Sequence, residues 1–378
     1  MRFSARGQVD PFIVMDVMEA ARRAESAGRH IVHMEVGQPS TPAPAGARRA
    51  LAAALDQPLG YTVAMGLPAL RRGIADLYRR WYGVDLDPDR VVVTPGSSGA
   101  FILAFSALFD AGDRVAMGYP GYPSYRQILR ALSLSPVGIP TRPEDRYQPR
   151  PDALPDGCAG LILASPGNPS GTVLRPDELR ALSEAAQDRG MALISDEIYH
   201  GLSYGQRCHS ALEVTDEAFV INSFSKYFSM TGWRVGWMVV PETHVRTVER
   251  LAQNLFICPP HASQVAALAA LEGTAEADAN LAVYAKNRRL MLDGLPRMGL
   301  DRIAPPEGAF YIYADVSHRT DNSLRFAAEI LDRADVAVTP GLDFDPDRGA
   351  GTLRLSYARA TDDIAEGLRR LAAFMAAR

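Results

Sequence analysis

The middle of the sequence alternates between short apolar segments and longer stretches whose apolar residues recur with helical spacing. From residue 91 onward there are seven such segments: Val91–Thr94, Arg114–Gly118, Pro136–Pro140, Gly160–Ala164, Met191–Ser195, Phe219–Ser223 and Val235–Val240. Short, often β-branched runs separated by helices are typical of parallel strands that are covered on both faces. The sequence therefore predicts an α/β domain with a mostly parallel seven-stranded sheet. Because the last two segments are close together, we expect one of that pair to run antiparallel.

Further helices flank this region, and a second pattern follows it. Helices are predicted at Pro11–Ala27, Ala45–Leu55, Pro68–Tyr82, Pro241–Leu255, Ser263–Leu271 and Leu281–Met298. Beyond residue 303 the pattern predicts a compact α+β domain with strands at Ala309–Ala314 and Thr352–Tyr357 and helices at Leu324–Ala334 and Asp362–Ala377. We therefore expect an N-terminal helix and arm over residues 1–40 that packs with the small domain, a large domain over 41–285, and a small C-terminal domain over 286–378.

The composition excludes several classes of protein. Apolar residues make up 47% of the 378 residues, which is ample for a packed core, and the net charge is −4 without any basic block. Such a chain is a poor candidate for binding nucleic acid or an anionic membrane. Since no run reaches 18 apolar residues, we expect no membrane span.

The cysteines, the histidines and the N-terminal residues show no pattern typical of disulfides, a metal site or a signal peptide. The three cysteines are far apart, which argues against a disulfide framework, and the seven histidines form no metal-binding pattern, so we expect no metal. The N-terminal residues lack the order of charged, apolar and small residues that a signal peptide has, because Asp10, Asp16 and Glu19 interrupt them. We therefore expect a cytoplasmic protein.

Lysine is rare in this chain. Of 40 basic residues only Lys226 and Lys286 are lysines, and the other 38 are arginines. Arginine can replace lysine where charge or a hydrogen-bond donor is needed, but not where a nucleophilic amine is needed. A bias of the coding genome can account for the ratio as a whole, but not for the position of Lys226. Any lysine chemistry must nevertheless use one of these two residues.

Two candidate ligand-binding turns follow the first two predicted strands of the sheet. Ligands of parallel sheets bind at the carboxyl ends of the strands, where these turns lie. Ser97 and Ser98 stand in a Gly/Ser turn that opens a helix and offers free N–H groups to a phosphate, although such a turn can equally be an ordinary helix cap. Tyr122, in a turn rich in aromatics, can stack on a planar ring or fill the core.

Two later strand ends carry further candidates. Asn168 lies in the turn Ser-Pro-Gly-Asn-Pro, where its amide can hydrogen-bond a ligand or stabilise the turn itself. Asp196 directly follows the next strand and can cap a helix or face the same crevice, together with Tyr199. Because all these strand ends meet at one edge of the sheet, the residues are expected to form one site.

The segment after Phe219–Ser223 is the most informative one. It reads Ser-Phe-Ser-Lys-Tyr-Phe-Ser-Met-Thr-Gly-Trp-Arg-Val-Gly, with Lys226 eight positions before Arg234. This stretch resembles the pyridoxal 5′-phosphate (PLP) attachment signature of the class I/II aminotransferases, which are fold type I enzymes similar to aspartate aminotransferase. The resemblance extends from Pro11 to the C-terminus, and further motifs occur in the family's order, at Ser97, Asn168, Asp196, Tyr199 and Arg354.

The resemblance implies a role for each residue near the cofactor ring. Lys226 is implied to bond covalently to the cofactor's aldehyde and then to move a proton at the substrate's α-carbon. Asp196 is implied to pair with the pyridine nitrogen and to keep it protonated. Tyr199 and Asn168 are implied to hydrogen-bond the phenolic oxygen, and Tyr122 to stack on the ring. Lys226, Asp196 and Tyr199 are thus the expected catalytic residues.

The same resemblance implies how the phosphate and the substrate are bound. Arg354 is implied to bind the substrate α-carboxylate bidentately, assisted by Asn168 and the backbone of Gly37. Tyr61 resembles a tyrosine that the family lends to the neighbouring subunit's phosphate, which implies a homodimer with shared active sites. The implied phosphate-binding residues of the chain itself are Ser97, Ser98, Ser223, Ser225 and Arg234.

The resemblance leaves the substrates open. The expected activity is the exchange of an amino group between an L-amino acid and a 2-oxo acid, and the alternatives are β-elimination, as in C–S lyases, and a non-catalytic PLP-binding regulator. Some bacterial aspartate aminotransferases carry a lysine where this chain has Ser98, which speaks against aspartate as the substrate, but another of the many arginines can take the place of that lysine, so aspartate is not excluded. Met65, Phe256 and Phe310 are expected to form an apolar pocket suited to aromatic or branched substrates.

Overall fold

The computed structural model describes residues 1–377, so Arg378, the last residue of the predicted C-terminal domain, lies outside the described residues. In chain order the strands are β1 (Val32–His33), β2 (Val91–Thr94), β3 (Arg114–Tyr119), β4 (Ser135–Pro140), β5 (Gly160–Ala164), β6 (Ala192–Asp196), β7 (Phe219–Ser223), β8 (Gly236–Val239), β9 (Tyr311–Asp315), β10 (Val336–Ala337), β11 (Thr339–Pro340) and β12 (Thr352–Ser356). The helices are α1 (Ile13–Ser26), α2 (Ala45–Ala54), α3 (Pro68–Tyr82), α4 (Gly96–Leu108), α5 (Pro123–Ala131), α6 (Pro176–Asp188), α7 (Val245–Leu255), α8 (His261–Ala270), α9 (Thr274–Arg297), α10 (Ser323–Ala334) and α11 (Thr361–Ala376).

The central sheet has seven strands in the order β2-β8-β7-β6-β5-β3-β4. Its strands are parallel except β8, which runs antiparallel to both β2 and β7. Residues 224–235, which join β7 to β8, contain only a 3₁₀ turn at Thr231–Trp233, and so short a link cannot carry a helical crossover. The predicted mostly parallel α/β sheet, with one of its last two strands reversed, is confirmed.

Both faces of this sheet are covered. In β2 every residue is buried, with Val91 and Val93 packing into the core on one face and Val92 into the core on the other. The same alternation occurs in β5, where Leu161 and Ile162 belong to opposite cores. Alternating side chains of a strand point to opposite faces, so a strand buried on both sides reads as a continuous apolar run.

Helix ends follow local sequence signals. The bounds of α3 agree with the predicted ones, because Pro68 occupies the first turn and Gly83 ends the helix with a φ of 71°. In contrast, α9 begins at Thr274 rather than Leu281, since its first two turns contain only alanines and polar residues and no large apolar side chain. This 24-residue helix runs through the proposed domain boundary at 285/286, and the division of the chain into domains stays a prediction.

The C-terminal part forms a three-stranded antiparallel sheet in the order β11-β12-β9, with α10 and α11 packed against each other and α11 against α9. Two further strands, β1 and β10, pair in parallel through Val32 and Val336 and join the N-terminal segment to this part. With two residues each, they are too short to show a strand period in the sequence. None of the helices formed by residues 1–377 has the length and hydropathy needed to cross a membrane.

Candidate active site

A cleft of about 900 Å³ opens at the carboxyl edge of the central sheet. Its walls come from the ends of β5 and β6, the segment after β7, the first turn of α4, the N-terminal segment and β12. The predicted site residues that line it are Gly37, Ser97, Ser98, Tyr122, Asn168, Asp196, Tyr199, Ser225, Lys226, Arg234 and Arg354. The structure thus brings together eleven of the thirteen predicted residues, drawn from positions 37 to 354.

Lys226 follows β7 and is half-buried in this cleft. Its amine donates a hydrogen bond to the Gly37 carbonyl oxygen and lies 5.6 Å from the centre of the Tyr199 ring. Burial, together with the positive charges of Arg354 and Arg234, lowers the pKa of Lys226 to about 7, and the Asp196 carboxylate acts in the opposite direction. At neutral pH a large fraction of this amine is therefore unprotonated and nucleophilic.

Asp196 is the last residue of β6 and is 5% exposed. Its carboxylate accepts hydrogen bonds from the Tyr125 hydroxyl and from the Ile198 backbone N–H, the latter at 3.0 Å. Burial raises the pKa of Asp196 to about 6, while these hydrogen bonds and the charge of Lys226 act in the opposite direction. A buried carboxylate in this setting favours a cationic ligand atom beside it.

An anion-binding pocket lies at the start of α4. Gly96 has a φ of 70°, and a Cβ added there would lie 2.4 Å from a guanidinium nitrogen of Arg234, so only glycine allows this approach. Ser97 and Ser98 occupy the first turn of α4, whose backbone N–H groups have no carbonyl partner within the helix. Free N–H groups, the helix dipole and one guanidinium together favour a phosphate.

Two predicted site residues do not line the cleft of their own chain. The Ser223 hydroxyl lies behind Ser225, donating to its oxygen at 2.8 Å and lying 3.1 Å from the Val235 carbonyl oxygen. Tyr61 is 83% exposed on the surface of the chain. Ser223 is thus placed to orient Ser225, and a contact of Tyr61 with a partner subunit's phosphate stays a prediction.

Arg354 lies on β12 and is 3% exposed. One terminal nitrogen donates to Asn168 Oδ1 at 2.9 Å, and the other donates to the Glu35 carbonyl oxygen. The guanidinium is sandwiched by aromatic rings, with its central carbon 4.4 Å from the Tyr311 ring centre and 4.7 Å from that of Phe344. Its Nε has no hydrogen-bond partner among residues 1–377, so a donor is left for a carboxylate.

The apolar part of the cleft differs from the predicted one. Met65, Phe256 and Phe310 do not line the described cleft, and Phe310 packs in the core against the edge of Tyr199 with 5.7 Å between ring centres. Within a single chain these three residues therefore do not form the apolar part of the cleft. Their place is taken by side chains of the N-terminal helix and arm, which are Phe12, Val14, Met15 and Val36.

Three more cleft residues escaped the sequence analysis. Tyr125 lies one helical turn beyond Tyr122 on α5, a spacing that could have revealed it. Phe12 packs edge-on against Tyr122 with 5.8 Å between ring centres, and Tyr311 comes from a strand nearly 200 positions away. No local signal ties these last two residues to the site.

The charges of the cleft match PLP bound together with an amino acid. Among the described residues that line it, Lys226, Arg234 and Arg354 are cationic and Asp196 is acidic. A phosphate, a carboxylate and a cationic ring nitrogen would meet partners at Arg234, Arg354 and Asp196, respectively. No group of three His, Cys, Asp or Glu side chains within residues 1–377 is arranged to hold a metal ion.

Comparisons with known proteins agree with this arrangement. The family model "Aminotransferase class I and II" matches residues 29–371. Valine–pyruvate aminotransferase of Mycobacterium tuberculosis is 50% identical, with 99% of this chain and 98% of that protein covered. A solved structure from Silicibacter pomeroyi is 68% identical, with both chains fully covered and a TM-score of 0.96. Aspartate aminotransferase of Thermus thermophilus, solved with maleate, is 32% identical, with 99% of this chain and 100% of that chain covered and a TM-score of 0.92.

Proposed function

This chain belongs to the class I and II aminotransferase family, and from that membership we propose its substrate class and the roles of its cleft residues. It is a PLP-dependent enzyme that exchanges an amino group between an L-amino acid and a 2-oxo acid. The sequence left β-elimination and a non-catalytic regulator open. Transamination is the activity that the family and its named relatives share.

Lys226 acts as the nucleophile and as the base in this proposal. When bound, PLP withdraws electrons from the substrate's α-carbon and so makes its proton removable. The Lys226 amine would hold the cofactor covalently at its aldehyde carbon, with loss of water, and the free amine would be the base that takes the proton from the substrate's α-carbon. A pKa of about 7 suits an amine that must release and accept a proton near neutral pH.

The remaining residues bind and orient. Asp196 would hold a proton on the pyridine nitrogen, and Tyr125 fixes the carboxylate that would do so. Tyr199 and Asn168 would donate hydrogen bonds to the phenolic oxygen, and Tyr122 would pack on the ring. The residues proposed to bind the phosphate are Ser97, Ser98, Ser225 and Arg234, with Ser223 orienting Ser225.

Arg354 binds the substrate's α-carboxylate. Its guanidinium is held flat between two aromatic rings, and its hydrogen bonds to Asn168 and Glu35 fix its rotation. Gly37 would take part through its backbone N–H, because its carbonyl oxygen already accepts a hydrogen bond from the Lys226 amine. Arg354 and Arg234 would thus bind the carboxylate and the phosphate in one cleft, where the charges of both arginines act on Lys226.

The preferred amino acids are those with a small aliphatic side chain, such as valine, with pyruvate as a suitable 2-oxo acid. The observation that carries this proposal is the apolar wall made by Phe12, Val14, Met15 and Val36. All cations that line the described cleft have other partners in the proposal, so a second substrate carboxylate would be unpaired. The 50% identical relative named for valine and pyruvate supports the same choice.

A half-reaction assay tests the substrate class. We expect L-valine to convert the bound cofactor to its amine form with a kcat/KM about 10- to 100-fold above that of L-aspartate, because an unpaired buried polar group costs about 1–3 kcal/mol. Loss of the visible absorption band and release of the 2-oxo acid measure the reaction. L-alanine serves as a control for the shared α-carboxylate and amine. An equal or faster reaction with L-aspartate would contradict the proposal.

Asp343 anchors the helix that supplies the apolar wall. This fully buried carboxylate accepts the backbone N–H groups of Ile13 at 3.1 Å and Val14 at 3.2 Å, so it caps the start of α1 from a distant part of the chain. Arg126 donates to the Asp343 carbonyl oxygen at 2.7 Å and fixes the loop. The position of Phe12 beside Tyr122 therefore depends on this contact.

We expect Asp343→Asn to raise the KM for L-valine about 5- to 30-fold with a smaller effect on kcat. The amide keeps one acceptor but turns the other oxygen into a donor facing an N–H, and losing a helix cap costs about 1–2 kcal/mol. Steady-state kinetics measure the effect. Asp16→Asn, an exposed charge on the same helical turn, is the matched control. A fall in kcat at unchanged KM would show that Asp343 acts elsewhere.

The assembly and the location of the enzyme are also proposals. We propose a homodimer, because Tyr61, Val63 and Ile257 are exposed by 83%, 55% and 53%, an apolar surface that a second copy can cover. In such a dimer Tyr61 would reach the partner's phosphate pocket. We also propose a cytoplasmic enzyme, and the domain division at 40/41 and 285/286.

A further inference from the structure

Tyr311 lies at the centre of the cleft, although nothing in its sequence surroundings indicated a role. This residue of β9 is 1% exposed and lines the cleft. Its hydroxyl is 2.7 Å from the Tyr199 hydroxyl, and its ring lies under the Arg354 guanidinium, 4.4 Å from the guanidinium carbon. One side chain thus contacts the proposed partner of the cofactor's phenolic oxygen and the proposed partner of the substrate carboxylate.

Tyr311 also packs closely against the backbone of Gly37. A Cβ added to Gly37 would lie 1.7 Å from the Tyr311 hydroxyl oxygen, so this position must be glycine for the tyrosine to fit. The carbonyl oxygen of the same Gly37 accepts the hydrogen bond of the Lys226 amine. Tyr311 is therefore packed against a third element of the site.

The hydrogen bond between the Tyr199 and Tyr311 hydroxyls can run in only one direction once the cofactor is bound. Burial raises the pKa of both phenols, so each is neutral and has one proton to donate. In the proposed function Tyr199 donates its proton to the phenolic oxygen. Tyr199 can then only accept within the pair, so Tyr311 is the donor. When Tyr311 donates to the Tyr199 hydroxyl, it polarises that hydroxyl and so strengthens the hydrogen bond from Tyr199 to the phenolic oxygen.

We propose that Tyr311 is a positioning residue that fixes Tyr199 as the hydrogen-bond donor to the phenolic oxygen of PLP and connects this bond to the arginine that receives the substrate carboxylate. The inference rests on the proposed role of Tyr199. A stronger hydrogen bond to the phenolic oxygen favours the unprotonated nitrogen of Lys226. Tyr311 would thereby help set the pH at which that nitrogen loses its proton, without touching the cofactor itself.

The test is a pH titration of the visible absorption band of the substrate-free holoenzyme, whose midpoint reports the proton on the Lys226 nitrogen. We expect Tyr311→Phe to raise this midpoint by about half a pH unit and Tyr199→Phe to raise it by more. The double variant should have the midpoint of Tyr199→Phe alone, because Tyr311 acts through Tyr199. Tyr313→Phe is the matched control, since it removes a buried hydroxyl from the same strand that contacts Thr352 at 2.7 Å instead.

The outcomes separate this inference from the proposed function. A midpoint in Tyr311→Phe equal to that of Tyr313→Phe overturns the inference. A midpoint shift in the double variant equal to the sum of the two single shifts overturns it as well. If Tyr199→Phe itself leaves the midpoint unchanged, the proposed role of Tyr199 fails and the inference falls with it. A raised midpoint in Tyr311→Phe that disappears in the Tyr199→Phe background supports the inference.

Discussion

Replacing Lys226 with alanine is expected to lower the rate of transamination by about 10⁴-fold or more. The variant loses both the nucleophile that bonds to the cofactor and the base at the substrate's α-carbon, and a general base alone contributes about 10²–10⁴-fold. No arginine can take over, because its guanidinium remains protonated. Single-turnover conversion of L-valine to its 2-oxo acid measures the loss.

Lys286 provides the control for this experiment. It is the other lysine of the chain, exposed on α9, and Lys286→Ala should keep the activity of the unmodified enzyme. Borohydride reduction of the holoenzyme followed by digestion gives an independent readout, since the label is expected on the peptide that contains Lys226. A label on Lys286, or full activity in Lys226→Ala, would refute the assignment.

Arg354→Lys is expected to lower kcat/KM for L-valine by about 10²- to 10³-fold, although the charge is kept. An ammonium can neither form the two parallel hydrogen bonds to a carboxylate nor lie flat between the Tyr311 and Phe344 rings. Losing one partner of a buried, hydrogen-bonded ion pair costs about 2–5 kcal/mol. The half-reaction with L-valine measures the effect.

A substrate without the carboxylate separates binding from structure. Isobutylamine has the side chain and the amine of valine, so its slow reaction with the enzyme should be nearly the same in Arg354→Lys. If the variant loses as much activity toward isobutylamine as toward valine, Arg354 supports the site in another way. The visible band of the holoenzyme confirms that the cofactor is still bound in the variant.

The fold was largely predictable because its signals are local. Continuous apolar runs marked all seven strands of the central sheet, and Pro68 with Gly83 fixed both ends of α3. The errors have equally local causes. The two-residue strands β1 and β10 are too short for any period. The first turns of α9 contain no large apolar side chain, and their exposed Glu276 accepts the backbone N–H of Ala45.

The residues proposed to bind the cofactor were also within reach of the sequence. Lys226 stands out because lysine is so rare here, and Asp196 and Asn168 directly follow strands whose ends must meet at one edge of the sheet. The substrate pocket was not within reach. Met65 and Phe310 are as apolar as Phe12 and Val14, and nothing in their sequence surroundings tells which of them faces the cleft.

The sequence by itself indicated the class of chemistry through a resemblance to a known family, because that resemblance rests on short segments that contain a lysine, an acid at a strand end and the spacing from Lys226 to Arg234. The tertiary structure alone decided what surrounds the substrate. Asp343 caps a helix 330 positions away, and Tyr311 joins Tyr199 to Arg354 across two sheets. Such contacts depend on how the C-terminal part and the N-terminal arm pack onto the large sheet, and packing between distant segments leaves no periodic trace in either of them.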